Sequence, residues 1–180
     1  MLMVMVQQQI EMVEASLKRL SARLDGVPVN QVLLIRMVLF LAHDFSQLMD
    51  QHIRPYGLAE GEFRVLMALF SQPENTAHPT DLCARSSQSP ANMSRICDAL
   101  VTRDLITRDL SAQDRRKMVL RTTPKGDQLV RDLLPAMFSG LRQVFSEFEA
   151  GDQETLIALL KRLAIRLDDV MADGAVEKAL

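Results

Sequence analysis

The residues of this 180-residue chain that could carry chemistry are three histidines, two cysteines, and a set of polar and basic side chains between Asp81 and Lys125. His43, His52 and His78 form no i, i+4 pair with one another, and Cys83 and Cys97 do not fall at zinc-ligand spacing. His43 precedes Asp44, but adjacent residues on a helix point about 100° apart and make a poor catalytic pair. No glycine-rich phosphate loop and no G-x-S-x-G occurs. These patterns predict no enzyme, no metal site and no cofactor. The middle of the chain offers recognition chemistry instead. Ser89, Ala91, Asn92, Ser94 and Arg95 open a helix-forming stretch, and Arg115, Arg116 and Lys117 follow Asp114 in a turn-forming one. Asn pairs bidentately with adenine and Arg with guanine, while clustered Arg and Lys displace counterions from phosphate.

Positioning those residues takes a helix-turn-helix and a hairpin. Thr80 is expected to cap a short helix running to about Arg85, Ser86 to Ser89 breaks it, and Ser89-Pro90 restarts a helix with suitable cap and first-turn residues. Met93, Ile96, Cys97 and Leu100 recur at i, i+3, i+4 and i+7, giving the second helix, Pro90 to Arg103, a buried face and leaving Asn92, Ser94, Arg95 and Thr102 outward. Ile106 to Leu110 and Lys117 to Arg121 alternate in part, with turn residues Ser111-Ala112-Gln113-Asp114 between them. A helix-turn-helix followed at once by a basic-tipped hairpin is a winged helix. Its second helix suits the major groove. Arg115 and Arg116 on a narrow hairpin suit phosphate or the minor groove, with Asp114 supporting them. Arg95 has a structural alternative, an i+3 pair with Asp98.

Both ends of the chain read as long helices. Ile10, Val13, Leu17, Leu20 and Leu24 step by three and four up to Asp25-Gly26. Pro28 suits the first turn of a second helix that reaches about Arg54, and its run Val32 to Leu41 is apolar nearly all round, so it needs covering on several sides. Phe63, Leu66, Met67 and Phe70 mark a third helix, which ends in the loop Gln72 to His78. Thr123 can cap another, with Pro124 at its first position, an apolar face from Leu129 through Leu133, Leu134, Met137, Phe138, Leu141 and Phe145 to Phe148, and a kink at Pro135. After Gly151, Leu156, Leu160, Leu163, Leu167 and Val170 form a seam like two heptads of coiled coil. The expected fold is mainly α with a small β-hairpin wing: a winged helix-turn-helix over residues 57–123, flanked by dimerisation helices over 1–56 and 124–180. Val32 to Leu41 is too short to span a bilayer, and Met1 to Val6 lacks the basic flank and cleavage site of a signal peptide.

Charge points to the same region. The whole chain sums to −2, which by itself argues against a nucleic-acid partner. Between Asp81 and Lys125, however, nine Lys/Arg face five Asp, an excess of +4, while the remainder carries −6. All seven Phe and the single Tyr lie outside that segment, so it offers no platform for stacking unpaired bases, and duplex DNA is the expected ligand. Two cysteines in a chain of this length make no disulfide framework and suggest a reducing compartment, the cytoplasm.

Thr80 to Arg103, Asp104-Leu105-Ile106 entering the wing, Asp114-Arg115-Arg116 and then Thr122-Thr123-Pro124-Lys125-Gly126 resemble the MarR family of winged-helix transcriptional regulators. The resemblance runs from about Val29 to Val170 and is greatest toward the branch that represses multidrug-efflux operons. It implies a homodimer built from both termini, a pseudo-palindromic operator with half-sites roughly 10 bp apart, and release from DNA by a small lipophilic or phenolic compound. It also implies an effector pocket where the dimer helices meet the winged helix, at Met37, Phe40, His43, Asp44, Phe63 and Met67; eleven methionines would suit a deformable apolar site. Two features depart from the family pattern: Thr122 stands where Leu is usual, and residues 1–27 match no motif. Two alternatives stand beside this reading. One is a redox-sensing regulator acting through Cys83 or Cys97, although the chain has no Cys in its N-terminal helices, where some family members carry theirs. The other is a helical dimer whose winged helix contacts protein.

Overall fold

The computed structural model describes residues 2–86, 88–110 and 117–173, with side chains from residue 6 onward. The described elements are α1 (Leu2–Ser21), α2 (Val29–Ile53), α3 (Glu60–Phe70), β1 (Thr76–Ala77), α4 (Pro79–Ser86), α5 (Pro90–Thr102), β2 (Ile106–Leu110), β3 (Met118–Thr122), α6 (Pro124–Val144) and α7 (Ala150–Ala172). They divide into two compact units, residues 1–134 and 135–180, with the division falling at Pro135 inside α6.

The core of the first unit gathers around α3. Phe63, Val65, Leu66 and Leu69 bury one broad face of it, and Leu82 of α4, Met93, Ile96, Cys97 and Leu100 of α5, Leu105, Ile106, Leu120 and Val130 close around them. All four residues whose spacing marked the inner face of α5 are buried. The backbone N–H of Ala59 donates to Glu62 Oε2 at 3.0 Å, satisfying a free donor where α3 begins. α5 ends where Asp104 takes a left-handed conformation, φ 58°, and the Leu105 N–H returns to the Leu100 carbonyl at 2.9 Å, a Schellman-type closure that sends the chain into the wing.

The wing is antiparallel, with Ile106 opposite Thr122 and Leu110 opposite Met118. The sheet also has a third strand, in the order β1-β3-β2, because Thr76 and Ala77 pair with Arg121 and Leu120. The sequence suggested only loop from Gln72 to His78. Glu74 and Asn75 adopt φ near +55° and turn that loop onto β3, where the His78 Nδ1 meets the Met118 carbonyl oxygen at 2.7 Å. Two starts shift as well. Pro79 is the first residue of α4, so Thr80 lies within the helix and the His78 carbonyl receives its first N–H groups, from Asp81 and Leu82. Pro28 precedes the first turn of α2 instead of sitting in it.

α1 and α2 pack together, but the all-round apolar character of α2 is not matched by burial. Ile53 is its one buried residue, while Leu34, Ile35, Val38, Leu39 and Leu41 remain exposed. Val29–Tyr56 is long and apolar enough to pass for a membrane span, with a mean hydropathy of 1.5, a longer stretch than the run counted from the sequence. Core and interface helices meet the same criterion, and the inner end of α2 is tied to the folded unit by Ile53 and by Ser46, whose Oγ donates to Glu60 Oε2 at 2.8 Å.

In the second unit, the Glu149 N–H donates to Asp152 Oδ2 at 3.1 Å, so α7 starts at Ala150 and takes Gly151 into its first turn. Phe145 and Phe148 meet edge to face, 5.7 Å between centroids. No residue of α7 is buried, and Leu156, Leu160, Leu163 and Leu167 of the heptad-like seam stand in the open.

Candidate nucleic-acid interface

α5 is placed as the exposed second helix of the helix-turn-helix. Ser89 caps it, its Oγ accepting the Asn92 N–H at 3.3 Å, with Pro90 in the first turn. Ala91, Ser94 and Arg95 are exposed on the solvent side and Asn92 is half-buried. Ser94 is not wholly free, because its hydroxyl donates back to the Pro90 carbonyl at 3.3 Å. The suggested Arg95–Asp98 pair does not form. The Arg95 guanidinium donates instead to Asn92 Oδ1, from Nε at 3.3 Å and Nη2 at 2.9 Å. Asp98 takes Arg108 of β2 at 2.8 Å, an ion pair that braces the wing strand against α5.

The basic excess of this segment is partly engaged inside the fold. Arg103 donates to the carbonyls of Gly57 at 2.8 Å and Tyr56 at 2.9 Å and pairs with Glu62 at 3.4 Å. Lys125 Nζ donates to the Arg103 carbonyl at 2.7 Å, and Arg121 to the Glu74 carbonyl at 3.2 Å. Arg103, Arg108, Arg121 and Lys125 thus hold α5, the wing and the α2–α3 connection together. Lys117 is exposed beside β3. Asp114, Arg115 and Arg116 lie outside the described residues.

Gln88 is a residue that the sequence reading missed. It sits one position before the cap, its Oε1 accepts from Asn92 Nδ2, and its Nε2 donates to the Ser86 carbonyl at 3.3 Å. The available signal was its place four residues before Asn92, on the face that Asn92 presents.

The six residues expected to line an effector pocket are distributed over several clefts of the single chain. His43 lies on an open cleft of about 870 Å³ with Ser46, Gln47, Asp50, Arg54 and Glu60. Phe40 lies on another, of about 610 Å³, between α1 and α2. Phe63 and Met67 border a third, of about 450 Å³, with Arg85 and Ser86. Met37 is half-buried and Asp44 exposed elsewhere on α2. In the first cleft the Ser46 hydroxyl and the Arg64 guanidinium lower the Glu60 pKa, against an opposing desolvation. Both cysteines are free thiols, Cys97 buried and Cys83 half-buried, and burial raises the pKa of Cys97. Among the described residues no cluster of His, Cys, Asp or Glu could hold a metal.

A short helix, a turn, a polar-faced helix and a braced antiparallel wing define a winged helix-turn-helix protein. Residues 56–117 match the model of the MarR family. Over a longer stretch the chain is similar to the transcriptional repressor MprA of Escherichia coli, 29% identical over 168 residues that cover 93% of this chain and 96% of that protein. Two solved MarR family regulators from Streptomyces coelicolor share the fold. One, AbsC, has a TM-score of 0.69 at 21% identity, covering 76% of this chain and 93% of its own. The other, solved in complex with DNA, has a TM-score of 0.70 at 20% identity, covering 77% and 91%. These relatives are regulators of transcription, not enzymes.

Proposed function

We propose that the chain is a cytoplasmic, homodimeric repressor that binds a pseudo-palindromic duplex operator and releases it when a small lipophilic or phenolic molecule binds. The observation that carries the reading is the outer face of α5, where Ala91, Asn92, Ser94 and Arg95 stand together beside a wing strand braced by Arg108 and Asp98. In this reading Ser89, Ala91, Asn92, Ser94 and Arg95 enter the major groove. Arg115, Arg116 and Lys117 hold phosphate or the minor groove, and Asp114 supports the wing. The likeness to the transcriptional repressor MprA supports repression, and the family branch that the motifs resemble points to an efflux operon as the target. The burial of Cys97 supports a packing role for that thiol over redox sensing.

Titration of the protein against duplex from its own upstream region, at rising salt, tests the reading. Affinity should fall steeply with salt, and Arg116→Ala should weaken binding and flatten the slope by about one unit. Absence of duplex binding at low salt would instead favour a winged helix that contacts protein. Release is tested by adding phenolic compounds to the bound complex, where unchanged affinity across the panel counts against an effector.

A further inference from the structure

Gln88, Asn92 and Arg95 form a continuous polar relay along the start of α5. The Asn92 amide is bonded at both ends: its Nδ2 donates to Gln88 Oε1, and its Oδ1 accepts twice from the Arg95 guanidinium. Gln88 is itself anchored. Its Nε2 donates to the Ser86 carbonyl, its backbone N–H returns to the Cys83 carbonyl at 3.0 Å, and its side-chain amide lies against Gly61 of α3, where an added Cβ would stand 3.5 Å from Nε2.

This arrangement decides which side chain can read a base. Bidentate pairing of Asn with adenine needs both ends of the amide free, one to donate and one to accept. In Asn92 the oxygen is engaged by Arg95 and one of the two Nδ2 hydrogens by Gln88, so pairing with adenine requires the amide to give up these bonds. Arg95 uses Nε and one Nη2 hydrogen on Asn92, which leaves the Nη1 edge of its guanidinium open to solvent and able to donate to the acceptors of guanine. We propose that Gln88 is a positioning residue for base recognition: by holding the Asn92 amide against Arg95 it withdraws Asn92 from adenine and makes Arg95, aimed at guanine, the base-reading group of α5. The inference rests on the proposed DNA binding and names the base that α5 selects.

Selection from randomised duplex, using the full-length protein and its Gln88→Ala, Gln88→Glu, Asn92→Ala and Arg95→Ala variants, tests it. Wild type should enrich a guanine in each half-site that Arg95→Ala no longer enriches. Gln88→Ala removes the bond that fixes the amide's orientation, so Asn92 can turn away from Arg95 and should gain adenine at or beside that position, with relative affinities changing on the order of tenfold, while its salt slope stays that of wild type because no phosphate contact is lost. Gln88→Glu keeps an acceptor for Asn92 Nδ2, so it should retain the wild-type base preference while binding every sequence more weakly through its added charge. Asn92→Ala should lose no adenine preference. Unchanged base preference in Gln88→Ala, or loss of an adenine preference in Asn92→Ala, overturns the assignment, and the second result stands even if Gln88→Ala fails to fold. A wild type that enriches no duplex overturns the DNA reading itself.

Discussion

Thr122, Asp127 and Asn75 form a small network that explains why a polar residue stands where the resembled family usually has Leu. The Thr122 hydroxyl donates to Asp127 Oδ1, and Asn75 Nδ2 donates to both carboxylate oxygens at 3.2 and 3.0 Å, so the positive-φ loop, β3 and the start of α6 share one anion. Immediately before Asp127, Gly126 is dictated by space: a Cβ there would stand 2.1 Å from the Leu105 carbonyl oxygen. Gly126→Ala should therefore lower stability by about 3 kcal/mol, read as a shift of the urea midpoint at constant slope. The Lys125-Gly126 motif was legible as a family mark, but the carbonyl it makes room for was not, because that contact exists only once the wing folds back. A second residue-scale effect concerns pH. Glu60 titrates below its ordinary value of 4.5 in the folded chain, mainly through the Ser46 hydroxyl. Its stabilisation is present above that ordinary value and is lost as pH falls through the lower folded one. The stability difference between wild type and Ser46→Ala should thus persist at neutral pH and shrink on acidification below about 4.5, in denaturation curves collected across that range. A difference that stays constant with pH would show that Ser46 acts by packing alone.

α5 and the wing strands were legible to within a residue or two because their signals are periodic, and the i, i+3, i+4, i+7 set of α5 is buried as its spacing requires; the ends of α1 and α6 were not, since these helices stop at Ser21 and Val144, short of the apolar seams that run on to Leu24 and Phe148. The other failures fall where no period exists. β1 is a two-residue strand held by main-chain pairing to β3, with no side-chain alternation to announce it. The start of α4 at Pro79 depends on the His78 carbonyl, which no residue type marks. The candidate site was legible in its outward residues and not in their partners, since nothing in the spacing favours Asn92 over Asp98 for Arg95. The passage from α5 into the wing is the most constrained joint. Asp104 there is left-handed at φ 58°, and its carbonyl receives the Thr123 hydroxyl at 2.8 Å. A β-branched side chain tolerates that conformation poorly. Asp104→Val should cost about 1–2 kcal/mol, whereas Asp104→Gly should be neutral or slightly stabilising. Thermal melting of both variants separates backbone strain from loss of the carboxylate, because only strain spares the glycine.

At the scale of the whole molecule, the net charge of −2 conceals a basic central segment, and part of that basicity braces the fold through Arg103, Arg108, Arg121 and Lys125. Fewer cations therefore remain for phosphate than a count along the sequence suggests, and a second copy of the chain would double them on a palindrome. The apolar surface argues for that copy independently. On α7, Leu160 is 45% exposed and Leu163 52%, within a seam that continues through Leu156 and Leu167. On α2, Leu34 and Leu39 are exposed 60% and 58%. Apolar stripes of this extent rarely face water in a stable monomer. Because neither side chain belongs to a buried core within one chain, Leu160→Glu with Leu163→Glu should leave the helicity of the monomer intact while placing two charges in a coiled-coil-like seam. Sedimentation should find the wild type as a dimer and the double variant as a monomer, and operator affinity should fall by orders of magnitude as the two half-sites lose their linkage. The melting temperature of the wild type should rise with protein concentration, as mass action demands of a fold coupled to association. A wild type that sediments as a monomer at micromolar concentration would leave the α7 seam without its partner and remove the basis for a palindromic operator.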